Sequence, residues 1–415
     1  MSTVRLRHLA QVNPSTPEFD KLSVDDRLTF LPMENVWSGP DLNITLSRRK
    51  TEVSSGYTRF KDGDVLVPKI TPTFEAGRSV LVHGLLNGVG AGTTELHVLR
   101  PGPQIDPRFL LYVVSTHSFL KLGEAEMYGV AGQKRVPDDF LRDLPVRLPM
   151  LQDQRRIANF LDIETARIDK LATFQKNILR GVDEREAALL DTALDQLAIQ
   201  YGTIPLRRYL LGVEQGVSPQ ADSAPAAPNE WGVLKVSCLR PERFFPDENK
   251  RLPGDYEPDT KHEVREGDLL ITRANTPALV GSTAVVPEVR KKLLLSDKIF
   301  RVHLDQRVSP HFVAAVARGR RVRDICAAAS NGASQSMANI RFEEVKAWPI
   351  PAANRAAQEE LVQYVRKRRA KMDALRARIE RQSALLAERR QALITSAVTG
   401  QFDVSSASGR GGDPA

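Results

Sequence analysis

Two proline-free stretches of the chain carry an apolar residue at every seventh position, the pattern of long helices that pack along a seam. In the first, about 152–198, Leu161, Ile168, Val182 and Leu189 recur at sevens with Gln175 as a polar interruption, and Ile157, Leu171 and Ile178 hold the complementary seam positions. In the second, about 356–398, Val365, Met372, Ile379, Leu386 and Leu393 run without a break, while Leu361 and Leu375 lie on the other stripe. Adding 204 to the first series gives the second, so the two registers coincide. A helix of about 40 residues is roughly 60 Å long, far more than one small domain needs, so the pair reads as a coiled-coil spacer.

Outside these stretches the pattern changes to short β-branched runs flanked by Gly, Pro, Asp and Asn, such as DVLVPKI, ELHVL, DLLITRA and KIFRVHL. DPRFLLYVV and SPHFVAAVA open with Asp-Pro and Ser-Pro, a helix-start signal. Gly88, Gly90 and Gly92 precede a strand rather than a helix, so they read as turn glycines and not as a dinucleotide site. The mixture predicts α/β (α+β) domains.

These signals occur twice. KDGDVLVPK (61–69) returns as REGDLLITR (265–273) at a shift of 204, and Gly77 matches Gly281 at the same shift. TTELHVL and DPRFLLYVV match SDKIFRV and SPHFVAAVA at 203. Gln133, Phe140 and Pro149 match Gln335, Phe342 and Pro351 at 202. Collinear matches with a nearly constant shift mean a tandem duplication. The expected layout is a first α/β domain at 1–150, a helix at 151–200, a second domain at 201–352, a helix at 353–400 and a disordered tail at 401–415. An antiparallel helix pair in such a duplication places the two domains about a pseudo-twofold axis.

Charge sharpens the picture. Residues 152–197 carry seven Lys/Arg against nine Asp/Glu, a net −2, whereas 355–397 carry eleven against five, a net +6, which favours pairing of the two helices. The whole chain is +8 with a pI near 9.5, which points to a polyanionic partner. Two cysteines, Cys238 and Cys326, are too few for a disulfide framework and fit a reducing cytoplasm. No run approaches the roughly 18 apolar residues of a membrane helix, and the N-terminus lacks a signal-peptide core. Phosphate-loop, H-E-x-x-H and paired C-x-x-C motifs are absent, and NPST (13–16) lacks the second proline and the aromatic of an amino-methyltransferase motif. The residues favour a binding protein over an enzyme.

LPMLQDQRRIANFLDIETARIDKL (148–171) resembles the central conserved segment of type I restriction–modification specificity subunits, and ERRQALITSAVTGQFDV (388–404) resembles their C-terminal ending, with its Ala-Val-Thr-Gly tetrapeptide. The second copy keeps Pro351 and Gln358 but has Leu361-Val362 where the first has an Ile-Ala pair. The resemblance implies two target-recognition domains, each reading half of a split, asymmetric site on double-stranded DNA, with helices that set the spacer. It implies two methyltransferase (M) subunits docked on the helices and restriction (R) subunits beyond them. S-adenosylmethionine, ATP and Mg then belong to those partners, and this chain holds no catalytic residue, cofactor or metal. A coiled-coil scaffold without sequence reading, and a subunit of a methylation-only system, are the competing readings.

Base and phosphate contacts need Arg, Lys, Asn or Gln on loops beside framework strands. In the first domain the candidates are Arg48, Arg49, Lys50, Arg59, Lys69, Arg78, Gln133, Lys134 and Arg135. In the second they are Arg273, Asn275, Gln335 and Asn339, with Arg320, Arg321 and Arg323 as phosphate grips.

Overall fold

The computed structural model describes residues 2–36, 42–130, 133–329 and 337–404. The chain forms two compact units: Met1–Lys176 with Ile379–Ala415, and Asn177–Arg378. A central helix, Leu151–Tyr201, and a C-terminal helix, Arg355–Thr399, each contribute one half to each unit.

The first unit holds two four-stranded sheets. One runs 10–12, 96–101, 65–68, 80–81 in order, all antiparallel. The other runs 47–49, 27–31, 89–92, 58–61, with 27–31 parallel to 89–92. Every residue of Val65–Pro68 is buried because successive side chains enter different cores. Val65 and Val67 join the helices Pro107–Val113 and His117–Ala125, while Leu66 packs with Phe60 and Val98 between the sheets. The glycine-rich run divides its labour. Gly88 is the turn residue, with φ of 68°, but Gly90 and Gly92 lie inside a strand. A Cβ on Gly90 would fall 2.1 Å from the Phe60 ring and one on Gly92 2.5 Å from the Leu31 carbonyl oxygen, so the reading of all three as turn glycines is corrected: close packing of a ring and of a neighbouring strand requires two of them.

The second unit repeats this plan. Its first sheet runs 210–215, 299–304, 269–272, 283–285, and its second runs 249–251, 232–234, 293–294, again with a parallel pair at 232–234 and 293–294. Two helices, Pro310–Arg318 and Arg320–Ala329, occupy the places of those following residue 106. Gly63 and Gly267 share a left-handed φ of 88° and 86° in the matched turns, each followed by an aspartate whose carboxylate accepts a backbone N–H three residues back, at 2.9 Å in both.

Within each unit the helix halves run antiparallel. In the first, Phe160 stacks on Phe402, Asp169 pairs with Arg390 at 3.2 Å, and Ser383 donates to Gln175 at 2.7 Å. In the second, Arg376 pairs with Asp183 and with Glu186 at 3.8 Å, while Leu190 and Leu194 share a core with Leu361 and Val365. Leu161, Ile168, Val365 and Ile379 are buried as seam residues, and Ile157, Val182, Leu189, Met372, Leu375, Leu386 and Leu393 are half-buried. Two expected seam residues are not in the seam: Leu171 is 53% exposed and Ile178 39%. The stripe beside Leu161 and Ile168 is four residues on, not three, and buries Thr165 and Glu186. Hydrophobicity pointed to the larger side chains, whereas this packing accepts small or ion-paired ones.

Candidate nucleic-acid interface

On the first unit's second sheet, Arg48 lies opposite Leu28 in the pairing and so shares a face with Leu28 and Phe30. Its guanidinium sits 4.1 Å over the Phe30 ring. Arg59 lies 3.9 Å over Phe19 and 3.4 Å from Asp20, and the Lys50 ammonium is 5.5 Å over the same Phe19 ring and donates to the Asp20 carbonyl at 3.1 Å. Arg49 is exposed on the same edge strand. Three candidates thus form one surface, in which cations sit on aromatic faces, each contact contributing about 0.5–1 kcal/mol at exposed sites, while Arg49 faces the other side of the strand.

A second group forms where the end of strand 65–68 meets the loop before the helix Asp138–Asp143. Val136 donates its N–H to the Lys69 carbonyl at 2.9 Å, and Thr71 donates to the Lys134 carbonyl at 3.1 Å. Gln133 and Lys134 are exposed here, Lys69 and Arg78 half-buried. Arg135 is turned away: it forks onto Glu95 at 2.9 and 2.8 Å and holds that carboxyl below its usual range. It braces the junction instead of reaching outward.

The second unit has the same junction. Ile340 donates to the Arg273 carbonyl at 2.9 Å, and Ala274 and Asn275 pair with Asn339 and Ala338. Asn339 is exposed, and Arg273 is half-buried with Nη1 3.3 Å from the Asp297 carbonyl. Asn275 is only 6% exposed, and its Oδ1 accepts from the Thr276 N–H, so it shapes the turn. Arg323 donates to the carbonyls of Val280 and Ala278 at 2.6 and 3.0 Å, and Arg321 pairs with Asp195 at 2.8 Å. Neither is a free phosphate grip, because nearby acceptors already hold both guanidinium groups. Arg320 stays exposed, and Gln335 lies outside the described residues.

Beneath the first junction lies His97, fully buried. Its Nε2 donates to the Val136 carbonyl at 3.0 Å, and its Nδ1 is 3.3 Å from Asn13 Nδ2 and 3.2 Å from Asp138. Burial first, and the Lys69 charge second, push its pKa down to about 4. The unfolded ring titrates near 6.5, so below that pH the unfolded chain binds the extra proton and the folded unit loses stability. Acidification from about pH 6.5 to 4 is expected to cost the first unit roughly 3 kcal/mol through this ring. Urea midpoints across that range would show it, and an unchanged pH slope in His97→Gln would refute the assignment.

Sequence reading missed the role of two matched glutamines, Gln154 in the segment 148–171 and Gln358, 204 residues on. Gln154 donates to the carbonyls of Gln104 and Pro149, both at 3.0 Å, and accepts from the Asp106 N–H at 2.9 Å. Gln358 donates to those of Arg307 and Ala353 at 2.9 and 2.8 Å and accepts from Ser309 at 2.8 Å. Each amide ties the start of a long helix to the start of a domain helix.

No family model matches the chain. It is 27% identical to the type I restriction enzyme EcoEI specificity subunit of Escherichia coli, across 91% of this chain and 79% of that one. It is 40% identical to the Escherichia coli EcoAI specificity subunit over 37% of this chain, a match spanning 26% of that relative. Its fold is similar to that of a solved chain from work on complex assembly and conformational transition of a type I restriction–modification system, with a TM-score of 0.68, 16% identity, and coverage of 96% and 97% of the two chains. The duplicated domains and paired long helices are thus the fold of that solved chain. Over most of its length the chain is similar to specificity subunits of type I restriction–modification systems.

Among the described residues no helix is long and apolar enough to cross a membrane, and no group of three or more His, Cys, Asp and Glu could hold a metal ion.

Proposed function

We propose that each unit reads one half of a split DNA site and that the long helices fix the distance between the halves. The observation that carries this is the repetition of one junction, strand end against loop, with Lys69, Gln133 and Lys134 in one unit and Arg273 and Asn339 in the other. One reader discriminates by only about 1–3 kcal/mol per bidentate base contact. A second reader on the same polypeptide makes the next engagement intramolecular and raises affinity without new kinds of contact.

The chain acts without chemistry of its own, in the cytoplasm, as a platform for two modification subunits that bring S-adenosylmethionine and methylate adenine. Restriction subunits using ATP and Mg complete the assembly. An apolar stripe on the first half of the central helix supports docking: Ile163, Leu171 and Phe174 are 55%, 53% and 62% exposed and lie within one side of the helix. Selection from randomised duplexes with the assembled complex is expected to enrich a split motif. Exchanging residues 1–150 for another family member's first domain should change one half only, and enrichment of no split motif would refute the reading.

A further inference from the structure

The first unit's basic surface has a counterpart that the duplication in sequence does not reveal. The repeats align poorly between 205 and 264, yet the second sheets superpose in topology: a central strand, a parallel neighbour and an antiparallel edge strand. The edge strand Ser47–Arg49 pairs with 27–29, placing Arg48 opposite Leu28. The edge strand Asn249–Arg251 pairs with 232–234, placing Lys250 opposite Val233. In both cases the central-strand residue belongs to a small outer cluster away from the inter-sheet core. Leu28 packs with Phe19 and Phe30, and Val233 packs with Leu252, Leu294, Trp231 and Tyr256. A cation on the edge strand beside an aromatic cluster therefore recurs at one position of the fold, although the residues differ.

We infer that the outer face of the second unit's second sheet, with Lys250 as its outward cation and Trp231 and Tyr256 beside it, is a duplex-DNA phosphate contact equivalent to the Arg48 face. Arg251, next along the strand, is committed to Asp222 at 2.6 Å and lies 4.0 Å from Glu230, so its single charge is already engaged by carboxylates near the aromatic hollow. Lys250 is exposed and makes no ion pair among the described residues. A phosphate approaching this edge meets an ammonium that no carboxylate holds in an ion pair, and a Lys contact to phosphate shows itself through counterion release. The rival role is protective, since lysines on open edge strands also discourage pairing with other chains.

This inference rests on the proposed DNA reading, and one titration separates the two. The full chain, assembled with its modification subunits, is titrated with its selected duplex at several salt concentrations. Lys250→Gln is expected to make the slope of log K against log salt shallower by about 0.9, and Lys250→Arg to restore it. Lys261→Gln serves as the charge control, because Lys261 is paired with Asp259 at 2.6 Å outside this sheet. An unchanged slope in Lys250→Gln, with or without aggregation, overturns the contact, as does an equal change in Lys261→Gln. A wild-type complex that selects no sequence defeats the DNA reading itself, and this inference with it.

Discussion

Replacing Gln154 with leucine is expected to destabilise the first unit by about 3 kcal/mol or more, among the largest effects open to a single surface-neutral change in this chain. The side chain is fully buried and makes three hydrogen bonds, so its loss strands one N–H and two carbonyls away from water. Each unsatisfied buried group costs about 1–3 kcal/mol, whereas leucine's similar size leaves little cavity. Gln358→Leu should act alike on the second unit, because its three bonds match in kind and length. Hydrogen exchange resolved by peptide checks this: protection should fall in 104–112 for the first variant and in 307–316 for the second. Equal loss in both units from one variant would mean that the clamp is not local.

Arg318→Met should weaken the second unit comparably, by roughly 3–5 kcal/mol, through a different mechanism. Arg318 donates to Glu186 of the central helix at 2.6 Å and to Glu242 at 3.0 Å, and both carboxylates are nearly enclosed. Glu242 sits at φ of 57°, and the C-terminal helix grips its turn as well: Arg369 donates to the carbonyls of Pro241 and Glu242 at 2.7 and 3.0 Å. Removing the arginine leaves a buried negative charge, which is far costlier than never having built the pair. The double change Glu186→Met with Arg318→Met should accordingly recover a substantial part of the loss. Chemical denaturation of the four variants in a double-mutant cycle would measure it, and strict additivity would refute direct coupling. The first unit has Ser115 and Arg390 at the matched positions, so Arg318 marks where the two halves ceased to be interchangeable.

Much of the candidate interface was legible before any coordinates because a base or phosphate contact demands a small set of residue types. Arg48, Lys50 and Arg59 meet on one sheet face, with Arg49 on the opposite face of the same edge strand, and Lys69, Gln133 and Lys134 meet at one junction. Residue type cannot report what a side chain finds nearby. Arg135, Arg321 and Arg323 look identical in sequence to outward-facing cations, yet Glu95, Asp195 and two carbonyls hold them. Asn275 looks like a reader but is enclosed in its own turn.

The sequence by itself determined the doubling, the strand-rich domains and the long helices, since these depend on periodicity, and periodicity survives in one dimension. It also placed most of the seam, through apolar residues seven apart. Only the tertiary structure decided that Leu171 and Ile178 face outward, that the long helices begin on buried glutamines, and that Lys250 stands where Arg48 stands. Those facts depend on which surfaces meet across hundreds of residues, and the energy of a contact belongs to the pair, so neither residue alone carries its signature.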